Sequence, residues 1–379
     1  MMTCHVCASP RLVPFHGYAE MPRVSSDCRP VGLGGSLHIC AACGVAQKLA
    51  TPEFLADVAA IYAQYDIYYQ GGGAEQIVFD SETGKGVRRS ALLSRRLATT
   101  GLLPKSGSVM DIGCGNGAFL RALGTQMPGY ELYGLELDER NLAAMRDIPR
   151  FAGLKVGDMT KLDGEYALIA MVHTLEHLTD PLAALVALRR NLGTEGLMFI
   201  EVPNVAENPF DLVVADHATH FTPASLERLL IRAGMEPILF ETGWIRKELS
   251  VLVRPTSGGV TTRQKTDPPG LVAAQLAWLD ATLAAARLAS TRAAIFGLFG
   301  TSIAGTWLAS FFADRIAFYI DEDVSRQGRT FFGKPVLAPE KAPAGAVVFL
   351  AVTPAVGDAL APRLRRLGLH PVLPPPLAV

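Results

Sequence analysis

Short apolar runs alternate with amphipathic stretches along the middle of the chain. "SVMDIG" (108–113), "ELYGLELD" (131–138), "YALIAMV" (166–172) and "LMFIEVPN" (197–204) read as buried strands. "AFLRAL" (118–123) and "PASLERLLIRAG" (223–234) carry the helical period, and Thr222 stands where a helix N-cap belongs. This alternation predicts an α/β unit with a parallel sheet and ligands at the carboxyl ends of its strands. The polar, proline-containing "SGGVTTRQKTDPPG" interrupts the pattern as a linker at 257–270. "LVAAQLAWLDATLAAARLA" then reads as a long helix, and "AAIFGLFGTSIAG", "AFYIDED", "GKPVLAPE" and "AVVFLAVTP" restart the alternation. The expected organisation is an N-terminal module at 1–55, a central Rossmann-like domain with a lead-in segment at 56–256, and a C-terminal Rossmann-like α/β domain at 271–379.

Composition narrows the functional classes. The 379 residues are 49% hydrophobic, with 35 basic and 36 acidic side chains, a net charge of −1. That balance argues against a nucleic-acid partner, which needs a basic face. "MMTCHVCASP" lacks a basic segment followed by an apolar one, so a cytoplasmic location is the expectation. Residues 293–313 carry no charge and are long enough to cross a bilayer. Gly297, Gly300 and Gly305 break that run, which favours a buried strand, a turn and a packed helix, with no membrane partner. A monomer or a homodimer fits equally.

Cys4 and Cys7, with Cys40 and Cys43, form two C-x-x-C knuckles. Each spacer lets a turn present two sulfurs to one tetrahedral ion, so they read as a structural four-thiolate Zn2+ site. His5 and His38 stand beside them as alternative ligands, and Cys28 stands alone. Metal would stabilise a module too small for a full core.

"GCGNG" follows the strand at 108–112 directly. Gly113, Gly115 and Gly117, with Cys114 and Asn116 between them, let a ligand approach the backbone. Glu136, followed by Leu137, ends the next strand, where an acid can take both hydroxyls of a ribose. Asp158 and Met159 in "KVGDM" are placed for an adenine amino group and ring. His173, Glu176 and His177 in "HTLEH" match the H-x-x-E-H zinc-peptidase pattern, but a strand runs straight into His173, so the required helix is missing.

"VMDIGCGNG", the acid in "LELD", "GDM" and "HTLEHLTDP" together resemble class I S-adenosylmethionine-dependent methyltransferases over roughly residues 80–255. The resemblance implies Asp111 and the glycine turn at the methionine part of the cofactor, Glu136 on the ribose, and Asp158 with Met159 around the adenine. It implies a junction near the reacting sulfur, where His173 and Glu176 would line the site, while His177 fits a structural role at least as well. The turn is G-x-G-x-G, not the G-x-G-x-x-G of nicotinamide-binding domains.

"DHATHF" (216–221) places two of the eight histidines together, beside an acid, in a long connection above the same sheet edge. The whole arrangement resembles the sugar C-methyltransferases, which act on nucleotide-linked keto-deoxysugars. In that family an acid–histidine pair in this loop serves the chemistry, usually glutamate–histidine. Asp216–His217 matches it. Carbon beside a ketone needs a base to remove a proton and a donor to hold the enolate oxygen. His217 is the expected base, with Asp216 orienting it or sharing the role, and His220 or Tyr69 the enolate donor. In "YDIYYQGGGAEQIVFD" (65–80), Tyr68 and Tyr69 match the family's active-site segment, but Gly71 to Gly73 replace its serines. That departure leaves oxygen or nitrogen methylation open. A non-catalytic scaffold that senses the cofactor is the alternative from another class.

Overall fold

The computed structural model describes residues 2–67, 69–80, 83, 85–256, 258–259, 266–268 and 270–377. Tyr68 and most of the 257–270 linker lie outside them. The central sheet has seven strands, ordered Phe151–Val156, Tyr130–Glu136, Gly107–Ile112, Tyr166–Val172, Leu192–Pro203, Glu248–Pro255, Met235–Glu241. The expected parallel sheet is mixed, because Glu248–Pro255 runs antiparallel to both of its neighbours. The strand order reverses between the parallel neighbours Gly107–Ile112 and Tyr166–Val172, and a crevice opens at such a switch point. The capping expectation holds: Thr222 caps helix Pro223–Arg232 in a reciprocal box with Ser225.

A six-stranded sheet forms the C-terminal unit. The uncharged run at 293–313 resolves into strand Phe296–Phe299, a turn at Gly300 and helix Ile303–Phe312. Helix Leu271–Arg292 is also long and apolar enough to cross a membrane. Here its Val272, Leu276, Leu279 and Ala286 are buried in the core.

The N-terminal module completes its sheet with a borrowed strand. Leu12–Pro14, His38–Cys40 and Ala46–Gln47 are joined by Thr219–His220, all antiparallel. One apolar core therefore runs through three parts of the chain. Tyr18, Val24 and Leu37 pack with Phe210 and Leu212, and with Trp278 and Trp307. Phe210 meets Trp278 at 5.2 Å and Trp307 at 5.9 Å between ring centroids. Replacing Phe210 with alanine should cost about 3–5 kcal/mol in chemical denaturation. An unchanged denaturation midpoint would mean that the two tryptophans do not anchor this segment.

Candidate active site

The strand ends and their loops enclose a cavity of about 510 Å³, walled by all three parts of the chain. The central sheet contributes Asp111, Gly113 and Gly115 from its first turn, with Glu136, Met159 and His173 from the next strand ends. Tyr62, Tyr65 and Tyr69 close one side, and Ser302, Arg326 and Thr353 of the C-terminal unit form the far wall.

The glycine turn is shaped for close approach. Gly113 and Gly115 have φ of 71° and 55°. A Cβ at Gly113 would lie 2.6 Å from Thr174 Oγ1, and one at Gly115 would lie 2.3 Å from Ile67 Cδ1. Glu136 accepts hydrogen bonds from the Gly115 and Leu137 N–H groups, at 2.6 and 3.1 Å. Burial, reinforced by the charge of Glu136, holds the Asp111 carboxyl well above its ordinary pKa. Leu137 is exposed and lines the cavity.

Several expected contacts are absent from the cavity wall. Asp158 caps the turn at Met159–Lys161 by accepting from Thr160 N at 2.9 Å, and its half-exposed side chain does not line the cavity. Asn116 turns toward the Gly73 carbonyl, and Gly117 opens helix Ala118–Gln126 against Met145 and Ile148. Cys114 contributes to the wall, but its sulfur is buried 3.8 Å from Met145 Sδ. Glu176 lies buried behind His173, its Oε1 3.1 Å from His173 Nδ1.

"HTLEH" holds no helix at its first histidine. His173 has φ 54°, and Leu175–His177 is a single 3-10 turn. Burial, followed by the Arg89 charge, pushes His173 down to about 3. Its Nε2 faces Glu248 Oε2 at 3.7 Å. Behind Glu248, burial and that second carboxylate push Glu201 up to about 8. His177 lines the cavity, with Nδ1 3.1 Å from both Tyr62 Oη and the Asp216 carbonyl.

In "DHATHF" the acid partner differs from the expected one. His217 lines the cavity, but its Nδ1 bonds Asp211 Oδ1 at 2.7 Å. Asp216 instead accepts from Ser26 N and Ser26 Oγ, at 2.8 and 2.6 Å, and is fully buried away from the cavity. The adjacent residue points the other way because its carboxylate is held by the N-terminal module. His220 is also off the cavity: its Nδ1 bonds Asp211 Oδ2 at 2.6 Å, and its Nε2 lies 2.9 Å from Lys48 Nζ. It therefore cannot donate to an acceptor oxygen. Tyr69 reaches the cavity half-exposed, its ring 4.2 Å from the Arg29 guanidinium.

Burial lowers the pKa of His217, but the charge and hydrogen bond of Asp211 outweigh it, and the net shift is upward. Both histidines hold Asp211 ionised, well below the usual carboxylate range, against the opposing effect of burial. With Nδ1–H donated to Asp211, neutral His217 keeps a lone pair on Nε2. That is the arrangement of a positioned general base. Asp211 sits six residues before His217 inside the apolar "FDLVVA", a buried-looking acid that was the available signal. Arg89, Lys247, Glu248 and Arg326 also line the cavity and carry no sequence signal of their own.

A family model described as "Methyltransferase domain" matches residues 87–239. Over that span the central unit is similar to methyltransferase domains. Curated relatives include the "Ubiquinone biosynthesis O-methyltransferase" of Cereibacter sphaeroides (strain ATCC 17025 / ATH 2.4.3), 25% identical over 158 residues, 36% of this chain and 63% of that protein. The protein of that name from Psychrobacter arcticus is 27% identical over 166 residues, 37% of this chain and 62% of its own. This chain thus spans less than two thirds of the relatives it matches. Among solved structures, a methyltransferase of calicheamicin biosynthesis, bound to SAH, overlaps 44% of this chain and 54% of its own at 23% identity, with a TM-score of 0.38. A glycopeptide N-methyltransferase overlaps 44% of this chain and 94% of its own at 21% identity, with a TM-score of 0.37.

In the methyltransferase domain, the residues that fit SAM are the glycine turn, Asp111, Glu136 and Met159. Removing Glu136 with alanine should weaken SAM binding roughly ten- to hundredfold in calorimetry, the range for a lost hydrogen bond to a charged group. Unchanged affinity would remove Glu136 from the cofactor site.

Proposed function

We propose that this protein transfers the methyl group of SAM to carbon beside the ketone of a nucleotide-linked keto-deoxysugar, through an enolate. The observation that carries the reading is His217, at the cavity wall with Nδ1 hydrogen-bonded to Asp211 Oδ1, which leaves the Nε2 lone pair to take a proton. His217 removes the proton, Asp211 stabilises the imidazolium that forms, and Tyr69 is the remaining candidate donor to the enolate oxygen. SAM supplies the electrophilic methyl group, and binding in one cavity supplies the alignment.

The far wall supports an acceptor with an anionic handle. Helices Ile303–Phe312 and Pro354–Arg366 begin at the cavity, next to Ser302 and Thr353, and Arg326 lines the same cavity. Helix N-termini and arginine suit a diphosphate. A second reading, O-methylation of a small molecule, is favoured by the names of the curated relatives. In that case His217 would deprotonate a hydroxyl.

We further read the N-terminal cysteines as a structural zinc site in a cytoplasmic enzyme. The pairs Cys4–Cys43 and Cys7–Cys40 have sulfurs 3.6 Å apart, and all four sulfurs lie within 4.8 Å of one another. A tetrahedral ion with bonds of about 2.3 Å sets sulfurs roughly 3.8 Å apart, so the set fits zinc. Zinc would hold the module that lends its sheet to Thr219–His220. Purified protein should contain one zinc per chain, and stripping it with a chelator should lower both the thermal midpoint and turnover. Full stability after metal removal would contradict the structural role.

The decisive assay incubates the protein with nucleotide-linked 4-keto-6-deoxysugars in heavy water, with and without SAM. Deuterium should enter beside the ketone, and with SAM a carbon-bound methyl should form. His217→Asn should slow exchange by about 10²–10⁴-fold. The base works unprotonated, so activity should fall as pH drops through the raised His217 pKa. The acid limb should therefore have its midpoint above the ordinary 6.5. A methyl on oxygen without exchange would select the second reading.

A further inference from the structure

A chain of buried polar groups runs behind His217 and ends outside the catalytic domain. Lys48 follows strand Ala46–Gln47 of the N-terminal module and is 2% exposed. Its Nζ donates to the carbonyl oxygens of Val214 and His217, each at 2.8 Å, and lies 2.9 Å from His220 Nε2. His220 Nδ1 then meets Asp211 Oδ2, and Asp211 Oδ1 meets His217 Nδ1. The sequence from ammonium to cavity is Lys48, His220, Asp211, His217.

The partners along this path limit where the hydrogens can sit. An ionised carboxylate only accepts, so both imidazoles carry hydrogen on Nδ1. An ammonium has three donors, and the two carbonyls and His220 Nε2 take all three. His220 Nε2 is then an acceptor, and His220 is neutral. The rival placement puts the proton on His220 and leaves a neutral amine at Lys48. Burial lowers Lys48 only to about 7, whereas burial, with Lys48 next, lowers His220 to about 4. Both groups are pushed down, and the order that results, with Lys48 above His220, favours the ammonium over a His220 imidazolium.

We propose that Lys48 is a positioning residue for the base: acting through His220, its ammonium keeps Asp211 ionised without a proton settling on His217. This rests on the reading of His217 as the base. A buried carboxylate between two imidazoles, with no cation nearby, would draw a proton onto one of them. If His217 took it, the base would be spent before the acceptor arrived. If His220 took it, Asp211 would be neutralised and less able to stabilise the His217 imidazolium. Lys48 supplies the countercharge from outside the cavity and avoids both outcomes.

The surroundings set the sign of the effect. His217 is faced by Glu176 and His177 from the junction after strand Tyr166–Val172, and by Asp211, Asp216 and His220 of its own segment. Lys48 is faced by Asp211, Asp216 and Arg23, with the Tyr18 ring 5.7 Å away. Without the Lys48 charge the field at the two imidazoles becomes more negative, so their protonation moves to higher pH.

Lys48→Met should move the acid limb of the pH–rate profile up by about one unit, as expected for a charge lost at short range. Turnover at neutral pH should drop about tenfold and recover at high pH, with SAM affinity in calorimetry unchanged. His220→Gln replaces one neutral group with another and should leave the limb at its wild-type position, whatever its rate. The proposal fails if the Lys48→Met limb stays in place, or if His220→Gln moves the limb as far upward. The second result would put the proton on His220, and it decides the question even if Lys48→Met does not fold. ¹⁵N NMR titration of the histidines in the full-length protein reads the same shifts without any substrate. A wild-type protein that transfers no methyl group but shows these shifts would sink the function and keep the Lys48 assignment.

Discussion

Segment 209–221 lies almost wholly out of water, so its polar groups must find partners inside the protein. The partners come from other modules. Tyr18 Oη donates to the Leu212 carbonyl, Ala215 N donates to the Val24 carbonyl, and Ser26 holds the Asp216 carboxylate. Lys48 takes the Val214 and His217 carbonyls, and strand Ala46–Gln47 pairs with Thr219–His220. Phe210 is clamped by two tryptophans of the C-terminal unit. The methyltransferase domain thus owns the histidine in sequence, but its neighbours fix where that histidine points. The cysteine module lines the cavity with Ser26, Asp27 and Cys28, and it also bears on the chemistry through this pairing.

The same dependence explains what the sequence disclosed. Strand ends were legible because the βα rhythm is local: "SVMDIG" and "ELYGLELD" place Asp111 and Glu136 without knowledge of anything distant. The four cysteines were legible because each knuckle is local as well. The acid partner of His217 was not. Asp216 stands next to it in the chain, whereas the partner in space is Asp211, brought round by the turn of Pro209–Val213. Ser26, nearly two hundred residues away, draws Asp216 off, and no spacing rule within "DHATHF" contains that information. His220 was misplaced for the same reason, since its neighbour Lys48 comes from the N-terminal module. Asp158 failed differently: a short acid before a turn can bond its own backbone, and Thr160 won that competition.

Two glycine turns meet across the cavity, and the acids behind them are used differently. In the central domain Glu136 accepts from two backbone N–H groups at the ligand-facing turn, so its carboxylate is placed to exchange those bonds for hydroxyls. In the C-terminal unit the corresponding acid, Asp321, follows strand Phe318–Ile320 and is tied to Thr301 Oγ1 at 2.6 Å and to Arg326 Nη1 at 3.2 Å. That ion pair holds the arginine in the wall and takes the acid's charge out of competition with an anion. Duplicated architecture therefore yields opposite polarity. One end of the cavity offers carboxylates, suited to hydroxyls and a sulfonium charge. The other offers a guanidinium and helix N-termini, suited to phosphate. An acceptor with a neutral reacting end and an anionic handle would be oriented by that gradient, its reacting end brought between the glycine turn and His217.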